Sequence, residues 1–452
     1  MESQKKIREL YDFIDENLYL NRPDFEIRGE KLNSTVLLTL LTGLNRGKEL
    51  ILGEPGLGKT TSAEYAGSLL YRCPLAIIWS SEVSGHPEQT EEKIVGRPDL
   101  GKLNRGIEEV VWSNFSQLPV KIVDEINRLP ETKQSMILDG IDRGNWEYLN
   151  EILINKEYCL YATANYQDRG TNTIITPLLD RFDIVVESKH PGSNLSFMIA
   201  DNNKENILRN PLYEKKLERV LRSKISYEKK LPQIEEICEQ FGVYLKKEFG
   251  IDTIHYNERR KIESEIDRLD FDMDASAFTI MFLAELSFCF KYGQKRSHEV
   301  CDEGCHYTGY LCHEVRNCAS NRLPSSIKTY AQSIAWLFGR SDVGLEEVRT
   351  VIPYTIAHRV QWKDDFIVKR EKNRRNDPLQ IYLAQEAINE VFHRYYEQKE
   401  DIKHAFAVGY RILNGEDLEP VEGDHPVYAE IKKDTIRLKK MKQNGEVSEE
   451  PF

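Results

Sequence analysis

Between Glu49 and Glu187 short apolar runs alternate with longer amphipathic stretches. Residues 50–52, 75–79, 120–123, 158–162 and 184–186 read as strands. Most lack period-two alternation, as expected where helices cover both faces of a parallel sheet. Residues 60–71, 103–115 and 131–141 read as helices between them, and 144–156 as a hairpin. This βαβ rhythm predicts an α/β domain with one doubly wound parallel sheet. After Pro191 the pattern changes: residues 194–250 carry Glu, Lys and Leu at helical spacing with few β-branched clusters, so a helical domain is expected to begin there. Residues 275–291, 327–338 and 345–359 are further helix candidates. The basic run 363–375 is interrupted by Asp364, Asp365 and Glu371, and it reads as a solvated face or linker rather than a nucleic-acid patch.

Composition narrows the class. At 452 residues the chain is about three times the ~150-residue length prior for one domain, which predicts two or three packed units. Its 62 Lys and Arg against 74 Asp and Glu give a net charge of −12, so a polyanion is not the default partner. The longest apolar stretch, 278–290, is broken by Glu285 and is shorter than the ~18 residues a spanning helix needs. The N-terminal Met-Glu-Ser-Gln-Lys-Lys has no apolar signal core, so a cytoplasmic protein without a membrane partner is expected.

Three segments carry chemistry. Gly53-Glu54-Pro55-Gly56-Leu57-Gly58-Lys59-Thr60, followed by Thr61, fits G-x-x-x-x-G-K-[ST] between a strand and a helix. Glycines let successive backbone N–H groups surround phosphates at a positive helix end. Lys59 would reach the β and γ phosphates of ATP, and Thr60 would coordinate Mg²⁺ through its hydroxyl. The run 120–123 ends in Asp124 and Glu125, where Asp124 would hold the hydrated Mg²⁺ and Glu125 would polarise the attacking water. The third strand leads into Thr163-Ala164-Asn165, and Asn165 can position water without adding charge. Arg181, in Leu178-Leu179-Asp180-Arg181-Phe182-Asp183, reads either as a surface ion pair or as a finger to a neighbouring subunit's γ phosphate.

The cysteines are uneven. Cys301, Cys305, Cys312 and Cys318 crowd one short segment with His298, His306 and His313. Such density suits structural Zn²⁺, with an iron–sulfur cluster and unligated cysteines as the alternatives. The four cysteines are the preferred ligands and His306 the substitute. Cys318 stands four residues before Arg322, so metal occupancy could fix that arginine.

The P-loop, Asp-Glu-Ile-Asn-Arg, Ala-Thr-Ala-Asn and Leu-Asp-Arg-Phe, in this order, resemble an AAA+ ATPase, and specifically the MoxR family. Ser320-Asn321-Arg322 resembles that family's Ser-Pro-Arg sensor 2 element, with asparagine in place of proline, and Ala357-His358-Arg359 its closing His-Arg pair. The resemblance covers roughly 27–187 and 320–360. It implies an αβα P-loop core, an α-helical lid and nucleotide sites between subunits, usually of a hexamer. Carried over, Lys59 and Thr60 are Walker A, Asp124 and Glu125 Walker B, Asn165 sensor 1, Arg181 the arginine finger and Arg322 sensor 2. The expected organisation is a helical lead-in (1–30), an ATPase core (31–190), a lid carrying the cysteine-rich insertion (191–360) and a helical C-terminal extension (361–452).

The resemblance implies ATP hydrolysis that remodels or matures a protein complex, commonly with a von Willebrand factor A domain partner and in some cases in metal-cofactor insertion. Two rival classes are a nucleic-acid motor like McrB or MCM, using the 144–156 hairpin or the 363–375 run, and a nucleotide-gated metal-binding scaffold with little turnover. The client protein and the subunit count are not encoded in any recognisable motif.

Overall fold

The computed structural model describes residues 2–166, 173–200, 204–286, 309–374 and 379–443. The chain forms two compact units: Met1–Arg268 with Trp336–Arg340, and Leu269–Ala335 with Ser341–Phe452.

The first unit is built on five parallel strands: β1 (Lys48–Leu52), β2 (Val83–Ser84), β3 (Val120–Asp124), β4 (Cys159–Ala164) and β5 (Ile184–Glu187). Their spatial order is β5-β1-β4-β3-β2. Apolar side chains of β3, β4 and β5 are buried on both faces, which is why these strands read as continuous apolar runs. The register pairs Ala164 with Leu52, Glu187 with Leu52, Ala162 with Val123, and Ser84 with Asp124. The carboxyl ends of all five strands therefore open onto one edge, where ligands of open α/β sheets bind.

Two expectations fail here. Residues 75–79 form part of the helix Leu75–Ser81, with Pro74 as its N-cap at φ −55°. The edge strand that follows is only Val83–Ser84. A short apolar run fits a buried helix turn as well as a strand. Residues 103–115 are not one helix: Gly106 takes φ +74°, and Val110–Trp112 pairs antiparallel with Gly96–Pro98. The β-branched and aromatic Val-Val-Trp sequence favours that pairing once the glycine has ended the helical turn. The hairpin at 144–156 is present as Asn145–Tyr148 paired with Glu151–Ile154.

One buried cation ties this region together. Lys121, fully buried in β3, donates to the carbonyls of Phe115, Ser116 (3.0 Å) and Leu118 (3.1 Å). Its ammonium sits 5.1–5.3 Å from the ring centres of Phe115, Trp146 and Tyr158. Burial pushes its pKa well below the ordinary lysine value, while three carbonyls and three ring faces satisfy the charge that remains.

The second unit is helical. Met273–Leu286, Leu345–Ile356, the 35-residue Leu379–Leu413 and Pro426–Gln443 are its main described helices. Phe278 meets Tyr395 edge-on at 5.5 Å in the core. Glu285, with no exposure, bonds to Arg394 (2.6 Å), His425 (3.2 Å) and the Leu311 N–H (2.9 Å). Burial acts to raise its pKa, but His425 and Arg394 hold it below the ordinary glutamate value.

The basic run is only partly a solvated face. Asp364–Glu371 is helical, and Lys363 and Arg370 are buried. Arg370 pairs with Glu390 and stacks on Phe366 at 3.7 Å, so packing and an ion pair internalise charge that the sequence assigned to solvent. Among the described residues no helix is long and apolar enough to cross a membrane.

Candidate functional site

The loop after β1 runs Gly53 to Gly58, with Gly56 at φ +79° and Gly58 at φ +74°. Other residues adopt this left-handed conformation only at a steric cost. The loop feeds the helix Lys59–Tyr71, whose N-cap Gly58 has no side chain to cap the first turn. Its first-turn N–H groups are thus available to an anion. Glu54, Pro55 and Gly56 at the crest are exposed, Gly53 and Lys59 are buried, and Leu57, Gly58, Thr60 and Thr61 are half-buried.

Lys59 crosses the sheet edge. Its Nζ donates to the carbonyls of Gly53 (3.0 Å) and Glu54 (2.8 Å) and to Oδ1 of Asn165 (2.7 Å). Burial lowers its pKa from the ordinary lysine value, with Asp124, Glu125 and Glu54 opposing that shift. Asp124 Oδ1 accepts the hydroxyls of Thr60 (2.5 Å) and Thr163 (2.7 Å). A carboxylate and a hydroxyl are hard oxygen donors, the set that suits Mg²⁺.

Glu125 follows at φ +50°, ψ +51°, a left-handed conformation for a residue with a side chain. Its N–H donates to Thr163 Oγ1 at 2.8 Å. Asn165 Nδ2 donates to its Oε1 at 2.5 Å, and Arg128 Nε lies 2.9 Å from its Oε2. The edge strand closes from the other side, where the Gly85 N–H donates to the Asp124 carbonyl at 2.6 Å. A Cβ on Gly85 would stand 1.9 Å from the Glu125 carbonyl oxygen, so only glycine admits this approach.

The structure thus joins Lys59, Thr60, Asp124, Glu125 and Asn165 in one hydrogen-bonded network. Arg181 is not part of it: its Nε donates to Asp142 Oδ1 and its Nη1 to the Pro177 carbonyl, both at 2.8 Å. Arg322 opens the helix Arg322–Leu337 and belongs to the second unit. Cys312 is buried and Cys318 half-buried, while Cys301, Cys305, His298 and His306 lie outside the described residues. Among the described residues no group of three or more His, Cys, Asp or Glu side chains could hold a metal ion.

Several contributors carried no assigned role in the sequence. Thr163, Asn127 and Arg128 stand there only as members of motifs, although an i, i+3 spacing from Glu125 is a signal for Arg128. Asn127 Nδ2 donates to the Asn165 carbonyl at 3.0 Å, anchoring that loop. Tyr19 shares a 2.5 Å hydrogen bond with Ser188, whose Oγ donates to the Leu57 carbonyl at 2.6 Å and steadies the glycine loop from beneath. Nothing in the sequence marks Gly85 or Tyr19.

No protein-family model and no curated protein matches the chain. Among solved structures, the chain is similar to a "putative ATPase" from Cytophaga hutchinsonii ATCC 33406, at 15% sequence identity and a TM-score of 0.54. The likeness covers 87% of this chain and 94% of that one. At this identity what the two share is the fold: a parallel α/β sheet followed by a helical region.

Proposed function

We propose that this chain is an ATP hydrolase of the AAA+ type, similar to MoxR proteins. The observation that carries the reading is the convergence of Lys59, Thr60, Asp124, Glu125 and Asn165 at the carboxyl edge of one parallel sheet. The likeness to the Cytophaga hutchinsonii protein supports it at the level of fold.

In this reading the Gly53–Gly58 loop and the first turn of the following helix bind the phosphates through backbone N–H groups. Lys59 exchanges its carbonyl partners for phosphate oxygens. Thr60 and Asp124 would hold Mg²⁺, which supplies charge neutralisation on the phosphates when bound. Asn165 orients a water, and Glu125 takes a proton from it as the water oxygen bonds to the γ phosphorus. The γ phosphorus–oxygen bond to ADP breaks, and ADP and phosphate leave. Thr163 keeps Asp124 and Glu125 in register throughout, because its single hydroxyl serves both.

Arg181, tied here to Asp142 in its own chain, serves a neighbouring subunit's γ phosphate in a ring, proposed as a hexamer, and Arg322 acts as sensor 2. Turnover drives remodelling of a protein client, with a von Willebrand factor A domain protein as partner. Zn²⁺ or an iron–sulfur cluster at Cys301, Cys305, Cys312 and Cys318 rests on sequence spacing alone. The test is equilibrium nucleotide binding with steady-state phosphate release. Wild type binds ATP·Mg²⁺ and releases phosphate, and Lys59→Ala loses binding. Undiminished binding by folded Lys59→Ala would reject the site.

A further inference from the structure

We infer that Arg128 is a positioning residue for Glu125, fixing the orientation of the carboxylate that receives the proton from water. This inference rests on the hydrolase reading above.

Glu125 is held at four points, and Arg128 supplies two of them. The Arg128 N–H donates to the Glu125 carbonyl at 2.8 Å, closing the one-turn 3-10 helix Ile126–Arg128. That turn carries the guanidinium back over the residue it follows, so Nε lies 2.9 Å from Oε2. The other two points are Thr163 on the Glu125 N–H and Asn165 on Oε1. Asn165 donates a hydrogen bond to one carboxylate oxygen, and the Arg128 guanidinium is ion-paired with the other. Removing either leaves a flexible side chain on a left-handed residue free to rotate away from the water.

Arg128 is suited to tuning rather than to supporting the fold, since its side chain keeps 39% of its exposure. Arg128→Ala also preserves the backbone N–H that closes the turn, so the substitution isolates the guanidinium. Lysine at this site can restore a charge but not a planar fork.

The experiment measures kcat and KM for ATP·Mg²⁺ in wild type, Arg128→Ala, Arg128→Lys and Arg128→Gln, and in Glu125→Gln with and without Arg128→Ala. Arg128→Ala and Arg128→Gln are expected to lower kcat about tenfold with KM within about twofold, as for an interaction lost only in the transition state. Arg128→Lys recovers part of the rate. Adding Arg128→Ala to Glu125→Gln costs nothing further, because the arginine acts through that carboxylate. An unchanged or raised kcat, a KM that rises in parallel, or an additive loss in the double variant would overturn the inference. A wild-type chain that binds ATP without hydrolysing it would instead defeat the hydrolase reading itself.

Discussion

Gly85→Ala is the sharpest perturbation of the sheet edge, because it touches none of the groups proposed to meet nucleotide. The new Cβ would lie 1.9 Å from the Glu125 carbonyl oxygen, 2.6 Å from its carbon and 2.8 Å from the Asp124 carbonyl oxygen, against ordinary contact at 3.4 Å or more. All three obstacles are backbone atoms, so no side chain can swing aside. The edge strand must retreat from β3 by roughly 1 Å or more, breaking the 2.6 Å hydrogen bond from Gly85 to Asp124. Overpacking of this kind costs about 1–3 kcal/mol, and the lost hydrogen bond about 1 kcal/mol more. A displacement of about 1 Å at a reacting group reduces rate on the order of 10²-fold. We therefore expect Gly85→Ala to remain folded with a lower Tm, to keep nucleotide affinity within a few-fold, and to lose about two orders of magnitude in kcat. Thermal unfolding, equilibrium nucleotide binding and phosphate release on one preparation check this. A folded Gly85→Ala variant with wild-type kcat would show that the edge strand does not position Glu125.

Arg181→Ala should leave ATP binding intact and abolish turnover, while the loss of its pairing with Asp142 lowers stability by no more than about 1 kcal/mol. Normal phosphate release by that variant would place the arginine outside the chemistry. Glu49 gives a pH prediction: it is fully buried in β1, it accepts the Thr39 hydroxyl at 3.1 Å, and burial pushes its carboxyl up to about 8 against the hydrogen bonds from Thr39 and Thr42. A carboxyl raised on folding contributes stability that is complete below its unfolded value of 4.5 and is lost as pH rises through about 8. Glu49→Gln should therefore flatten the decline of stability between these values and exceed wild type at pH 9, by up to about 5 kcal/mol. Denaturant unfolding across that pH range checks it, and a wild type whose stability does not decline there would reject the buried-carboxyl account.

The sheet was legible wherever burial produced unbroken apolar runs, as in Val120–Asp124 and Cys159–Ala164. It was not legible at Val83–Ser84, a strand of two residues whose place is set by pairing with β3. The same limit explains residues 75–79, where five apolar positions cannot distinguish a helix turn from a strand. The meeting of Lys59, Thr60, Asp124 and Glu125 at one sheet edge was legible because the glycine loop and the acidic pair each directly follow an apolar run that reads as a strand. Thr163 and Gly85 were not, since their contribution is a distance across strands 39 and 40 residues apart from their partners in the chain, visible only once register is known. Arg370 shows the converse: a basic run suggests solvent until packing supplies Glu390 and Phe366.

The most direct measurement is native mass spectrometry of Glu125→Gln incubated with ATP·Mg²⁺. The account predicts a closed assembly in which each chain retains intact ATP, because binding groups are preserved and the proton acceptor is removed. A monomer without nucleotide, or an assembly loaded with ADP, would contradict it.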